Sequence, residues 1–245
     1  METLTEENPR TIGELVTENY RTAPVFKKYG LDFCCKGGRT IADACAEKGI
    51  DPAPLLSDLD RARADRPDST DVANTWPLDT LADHIVEVHH TYVREAIEQL
   101  MPFLDKVSRV HGDGHPELHK VREAFMASAH ELTHHMHKEE MALFPYIREL
   151  ARADREGRMP APPMFGSVRN PIAMMRHEHE VEGDRFAEIN ELTSGYNPPS
   201  YACRTYQATF ALLRDFEEDL HRHIHLENNI LFPKAAQLEQ SLLGI

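Results

Sequence analysis

The chain has 245 residues, with 27 Lys and Arg against 41 Asp and Glu and a formal net charge of −14. That length can bury a proper core in one large domain or two smaller ones. The negative balance argues against nucleic acid or an anionic membrane as partner, because phosphates would repel it. Four Cys in a chain this long do not make a disulfide scaffold, and no apolar run is long enough to span a bilayer. The start, Met1-Glu2-Thr3-Leu4-Thr5-Glu6-Glu7, is acidic and unlike a secretory signal, so a cytoplasmic location is expected. Fifteen His are present, several beside Glu.

Residues 1–66 read as a small helical domain. Thr11 can cap a helix through Tyr20, Pro24 suits a helix start and Gly30 its stop. The stretch from Leu31 to Gly38 reads as a turn or loop and carries the vicinal pair Cys34-Cys35. Thr40 can cap a short helix ending at Gly49, and Asp51-Pro52 can open another. Residues 67–77 read as a linker.

Residues 78–245 carry helical periodicity in four long segments, at roughly 78–108, 116–152, 170–193 and 200–241. The first places Leu78, Leu81, Ile85, Val88, Val93, Ile97 and Leu100 at helical spacing. The third opens on Asn170-Pro171 and aligns Ile172, Met175, His179, Phe186 and Ile189. No segment alternates as a strand does, so the chain is predicted to be all-α. A longer connection, 153–169, separates two helix pairs.

The two pairs spell nearly the same motif. His135-Met136-His137-Lys138-Glu139 is followed by Leu143-Phe144-Pro145, and His223-Ile224-His225-Leu226-Glu227 by Leu231-Phe232-Pro233. The repeat distance is 88 residues for the His, the Glu and the tail alike, and His90 and His179 stand 89 apart. Residues four apart on an α-helix differ by about 40° around the axis, so each His-x-x-x-Glu pair points one way. Two such helices, with one His from each of the other two, gather four imidazoles and two carboxylates inside an antiparallel four-helix bundle of approximate two-fold symmetry. The candidate ligands are His90, His135, Glu139, His179, His223 and Glu227. Imidazole with carboxylate suits iron, manganese or zinc. Six ligands for two metals require bridges, assigned to Glu139 and Glu227, and leave positions open for oxygen, NO or hydroxide. The order differs from the Glu-x-x-His of ferritin-like bundles and favours the other di-iron type.

Neighbouring groups compete for these roles. His84 and His89 rival His90; helical phase does not decide, and the near-equal repeat distance favours His90. His84 could line the pocket or support a ligand from behind. His137 and His225 lie about 200° from the ligands and are expected to point away, while His134, His177 and His221 fall off the stripe. Glu140 and Glu217-Glu218-Asp219 read as solvated faces. Pro145 and Pro233 are expected to bend their helices at the bundle end. For Cys34 and Cys35, Lys36 would favour thiolate. The readings are a redox relay, a transient metal or NO-carrying site, thiol exchange with a partner, or two thiols filling a small module. Cys45 reads as core, and Cys203 has no evident role.

On these residues the chain resembles the iron-sulfur cluster repair di-iron proteins, the RIC or ScdA family, over nearly its whole length. Thr11-Ile12-Gly13-Glu14-Leu15, Phe26-Lys27-Lys28-Tyr29-Gly30 and Asp32-Phe33-Cys34-Cys35-Lys36-Gly37-Gly38 look like its ScdA-type N-terminal domain. The two His-x-His-x-Glu segments ending in Leu-Phe-Pro look like its haemerythrin-like four-helix bundle. The resemblance implies a non-haem di-iron centre with an oxo or hydroxo bridge; a mixed Fe/Mn pair also fits the donors. His90, His135, His179 and His223 would be terminal ligands, Glu139 and Glu227 bridges, and Cys34 and Cys35 the family's cysteine pair. It further implies repair of iron-sulfur clusters damaged by nitrosative or oxidative stress, with NO reduction to N2O as a proposed activity. The implied partners are damaged iron-sulfur proteins, NO, O2 or peroxide, and an external electron donor; a homodimer is left open. The alternative is a haemerythrin-like O2- or NO-binding protein, or an iron store or donor, without turnover.

Overall fold

The computed structural model describes residues 10–64 and 69–244. The acidic start, the expected boundary near residue 66 and the terminal Ile245 lie outside the described residues. The N-terminal helices follow their capping chemistry. Helix α1, Ile12–Glu18, begins with a reciprocal box: Thr11 Oγ1 accepts from the Glu14 N–H at 3.2 Å and the Glu14 carboxylate accepts from the Thr11 N–H at 2.8 Å. It ends before Tyr20, because Asn19 is extended and its side chain opens a 3-10 turn over Tyr20–Thr22. Helix α2, Ala23–Lys28, carries Pro24 in its first turn. Helix α3, Ile41–Lys48, starts on Thr40 and stops at Gly49, whose φ of 65° suits glycine. Helix α4 spans Pro52–Ala64. Within the stretch read as a linker, Ser69–Thr75 wind into a 3-10 helix, and Trp76 packs on His84 at 4.8 Å between ring centroids.

Four long rods follow. The first runs α5, Leu78–His84, through a π-helical turn, Ile85–His90, into α6, Thr91–His111. The second runs α7, Glu117–Lys138, a π turn over Glu139–Leu143, and α8, Phe144–Glu156. The third is α9, Arg169–Leu192. The fourth runs α10, Arg204–Leu226, a π turn over Glu227–Leu231, and α11, Phe232–Leu243. Helix α6 packs against α7 and α10, α7 against α9, and α8 against α5 and α11, which closes the four-helix bundle. Among the described residues there is no β-strand; Thr11 and Thr40 meet in an isolated antiparallel bridge.

Pro145 and Pro233, read as bends within their helices, do not lie inside a continuous α-helix. Each sits in the first turn of an α-helix that restarts after a π turn. The Phe144 N–H donates to the Glu139 carbonyl, and the Phe232 N–H to that of Glu227, each five residues back. The widened turn absorbs the missing proline donor and the steric demand of its ring.

The apolar interior is divided. One core unites Val93, Leu100, Phe125, Phe186, Phe216 and Ile224 of the bundle with Leu15, Phe26, Phe33 and Leu55 of the N-terminal module. The other gathers Leu81, Ile85, Phe144, Leu150, Ile172 and Phe232 at the opposite end. A layer of buried His and Glu lies between them. The module is joined closely: a Cβ on Gly13 would stand 2.5 Å from Asn229 Oδ1, and one on Gly37 3.1 Å from the same atom. Only glycine permits that approach. The connection expected at 153–169 is shorter, 157–168, because α8 continues to Glu156; it leaves α8 through Gly157, at φ 61°, and is pinned by Glu149, which accepts from Arg158 at 2.6 Å and the Ala161 N–H at 3.2 Å.

Candidate metal centre

All six predicted ligand positions lie in one buried layer, each less than 4% exposed. They form two groups of facing donor atoms: His90, Glu139, His223 and Glu227, and His135, Glu139, His179 and Glu227. Within each group these atoms lie within 4.8 Å of one another, and both carboxylates belong to both groups. The His-x-x-x-Glu spacing acts as expected: His223 Nε2 is 3.1 Å from Glu227 Oε1 and His135 Nε2 is 3.4 Å from Glu139 Oε2. Across the bundle, His179 Nε2 reaches Glu227 Oε2 at 3.1 Å, and His90 Nε2 reaches Glu139 Oε2 at 3.4 Å. Helices 88 residues apart thus contribute in a crossed, two-fold manner.

The layer is built for cations. Both Glu139 oxygens, Glu227 Oε2 and His90 Nε2 are buried and make no hydrogen bond. Two carboxylates sealed together with only imidazoles facing them are costly, and positive ions between them would offset that cost. Burial alone would push the Glu227 carboxyl up, but His223, with hydrogen bonding from His179 and His223, holds it well below the usual carboxylate range. Burial would likewise lower His135, yet Glu139, then Glu178, carries it up to about 10.

Behind the six candidate residues stand groups whose role the sequence did not reveal. Glu140 is not a free solvated residue: its Oε1 is 2.7 Å from His90 Nδ1. Glu178 Oε2 is 2.8 Å from His135 Nδ1, and Asn228 Oδ1 is 3.0 Å from His179 Nδ1. Such partners fix ring orientation and tautomer. The available signal was positional, since Glu140 and Asn228 immediately follow Glu139 and Glu227. His84 has no hydrogen bond to any of the six; it meets Trp76 and His89 edge-on. His89 is as buried as His90, because the π turn adds a residue to the rod. Its Nδ1 instead lies 2.9 Å from Asp219, and its ring stacks on His223. Glu217 and Asp219 are therefore not solvated either: Glu217 is buried and accepts from Lys27 at 2.7 Å.

His137 is exposed, as expected. His225 points away from the ligand layer but is buried between Phe33 and Tyr20, with Nδ1 accepting from Asn229 Nδ2 at 2.9 Å. Burial, then Arg222, pushes its imidazole down to about 3, so it seats the module as a neutral ring.

The cysteine loop lies directly against the ligand layer. Cys35 Sγ donates to the His179 carbonyl at 3.2 Å, and Asn228 Nδ2 donates to the Cys34 carbonyl at 3.1 Å. Asn228 therefore ties one predicted ligand to the loop. The expected thiolate is not favoured at Cys34: hydrogen bonding to Cys35, burial and Asp32 push its thiol well up, and the effect expected of Lys36 does not prevail. All four cysteines are free; Cys45 is buried, and the exposed Cys203 stands 3.3 Å from His111 Nε2.

An all-α bundle with a buried layer of His and Glu is the architecture of a haemerythrin-type cation-binding protein. Residues 81–235 match the Hemerythrin HHE cation binding domain, and residues 8–63 match ScdA_N, a domain of unknown function (DUF542). The chain is 34% identical over 230 residues to the iron-sulfur cluster repair protein YtfE of Pectobacterium carotovorum, covering 94% of this chain and 98% of that one. It is 34% identical over 233 residues to YtfE of Musicola paradisiaca, with coverages of 94% and 97%, and 35% identical over 225 residues to YtfE of Escherichia coli O81, with 91% and 95%. The chain belongs to the family of these iron-sulfur cluster repair proteins.

Proposed function

We propose that this protein holds two iron ions and serves the repair of iron-sulfur clusters damaged by nitrosative or oxidative stress in the cytoplasm. The observation that carries this reading is the pair of four-residue donor groups sharing Glu139 and Glu227. His90 and His223 would hold one ion, His135 and His179 the other, and the two carboxylates would bridge them. When bound, a ferrous pair supplies electrons and open positions for a small ligand such as NO, O2 or peroxide. The protein's own groups do the rest: Glu140, Glu178 and Asn228 orient three imidazoles, and the flanking apolar cores keep bulk water from the layer. Reduction of NO to N2O is part of the proposal, with electrons from an external donor.

Iron analysis with a visible absorption spectrum tests the centre. The native chain should bind about two iron per chain. Glu139→Ala and Glu227→Ala should each lose iron, whereas His137→Ala should keep it. Acid should release iron, because protons compete for the imidazoles. Fewer than one ion per chain after anaerobic loading would end the di-iron reading. Recovery of an NO-damaged iron-sulfur enzyme tests the repair role: a reduced protein that binds NO yet restores no client and yields no N2O would be a carrier or store instead.

A further inference from the structure

We infer that Asp32, Cys34 and Cys35 form a separate cation site taking one thiophilic divalent ion, and that it serves as a way-station for iron entering or leaving the His/Glu centre. The second half rests on the iron-handling function proposed above; the first half does not.

The donor atoms of the three residues are gathered within 4.8 Å of one another, apart from the six residues of the bundle layer. The two Sγ atoms stand 3.7 Å apart. Thiolates about 2.3 Å from a tetrahedral ion stand about 3.8 Å from each other, and a carboxylate oxygen about 2.0 Å from that ion stands about 3.5 Å from either sulfur. Asp32 Oδ1 is 3.3 Å from Cys34 Sγ. The sulfur separation is far too long for a disulfide, and both thiols are free. The spacing, held by thiol hydrogen bonds, matches the bite of a dithiolate chelate.

The loop is set in this shape before any ion binds. Asp32 Oδ1 accepts from the Cys34 N–H at 3.0 Å and the Cys35 N–H at 2.9 Å, which folds both thiols to the same side as the carboxylate. Asn229 Nδ2 and Asn228 Nδ2 hold the Phe33 and Cys34 carbonyls at 3.1 Å each. The two sulfurs stand too close to ionise together unless a cation replaces their protons. Loading would release both thiol protons and change no oxidation state. Three donors leave a fourth position for a ligand from an acceptor.

Place supports the transfer role. Cys35 Sγ touches the His179 carbonyl, so the loop adjoins the residue proposed to hold one iron. Two cavities reach the loop. One, of about 470 Å3, opens on Asp32 and Cys34 and carries Lys27, Lys36 and Lys48 against Asp184 and Glu217, a smaller acidic share than in the second. The other, of about 440 Å3, opens on Cys34 and Cys35 and carries Glu14 and Glu180 against Arg176, giving the ion its easier path.

The test titrates Cd2+ into the full-length, iron-loaded protein without oxygen. It reads ultraviolet thiolate-to-metal charge transfer and site-resolved alkylation by mass spectrometry. One Cd2+ per chain should bring up the charge-transfer band and slow alkylation of Cys34 and Cys35 about tenfold, leaving Cys203 reactive and the visible iron spectrum unchanged. Cys34→Ser/Cys35→Ser should abolish the band, and Asp32→Asn should weaken binding about tenfold. Should the variants fail to fold, protection in the native chain decides. Absence of the band at one equivalent, or equal alkylation with and without Cd2+, overturns the site. A band in protein that never takes up iron would uphold the site and remove its way-station role. Iron lost to a chelator at the same rate from native and double-cysteine protein would remove that role as well.

Discussion

At the scale of single residues, Glu140 and Asn228 occupy the same place in the repeat, 88 residues apart, and do different work. Glu140 backs His90 with a charge; Asn228 backs His179 with an amide and spends its other end on the cysteine loop. The two duties can be separated. Asn228→Asp keeps an acceptor for His179 and loses the donor to Cys34, so iron should stay while alkylation of Cys34 speeds up several-fold. Asn228→Ala loses both, and iron affinity should fall about 10- to 100-fold. Equal iron affinity in the native protein and Asn228→Ala would refute this account. The positions of the six central residues were legible because a duplicated motif with fixed spacing is hard to meet by chance. The partner behind His90 was not, nor were the burial of Glu217 and the contact of Asp219 with His89, because Glu140, Glu217 and Asp219 look like any acidic helix face until the neighbouring helix is in place.

At the scale of elements, helix identity and order were readable from periodicity, and the caps at Thr11, Thr40 and Gly49 from local chemistry. The π turns were not. Each inserts a residue without changing composition, so it upsets the phase argument at the point where His89 and His90 compete. Only the prolines at 145 and 233 hinted at irregularity, and they were compatible with a simple bend. The connection after α8 depends on one carboxylate. Arg158, then Arg152 and the Ala161 N–H, hold Glu149 down to about 2. A carboxyl lowered in the fold stabilises it above its ordinary pKa of about 4.5, and that support fades as pH falls toward 2. Proteolysis within residues 157–165 should therefore rise as pH drops through this window, and Glu149→Gln should show the same cleavage at neutral pH. An acid-tolerant protease that cuts native and Glu149→Gln protein alike at both pH values would count against it.

At the scale of the whole molecule, the N-terminal module shares one apolar core with the bundle, and His225, Phe33 and Tyr20 form the joint. Residue-pattern reading separates the two parts, since nothing in a helical period marks a face as covered by another module. The two-sided interior has a mechanical consequence. Grease at both ends holds the rods together whatever happens in the middle, whereas the middle contains Glu139 and Glu227, two sealed-in negative groups that repel one another. Stripping the iron should leave a protein whose waist breathes while its tips stay shut. Deuterium should enter the amides of 135–143 and 223–231 markedly faster in stripped than in loaded protein, with those of 100–107 unaltered. A uniform change along the rods would defeat this picture; the expected one makes unloading and opening a single event.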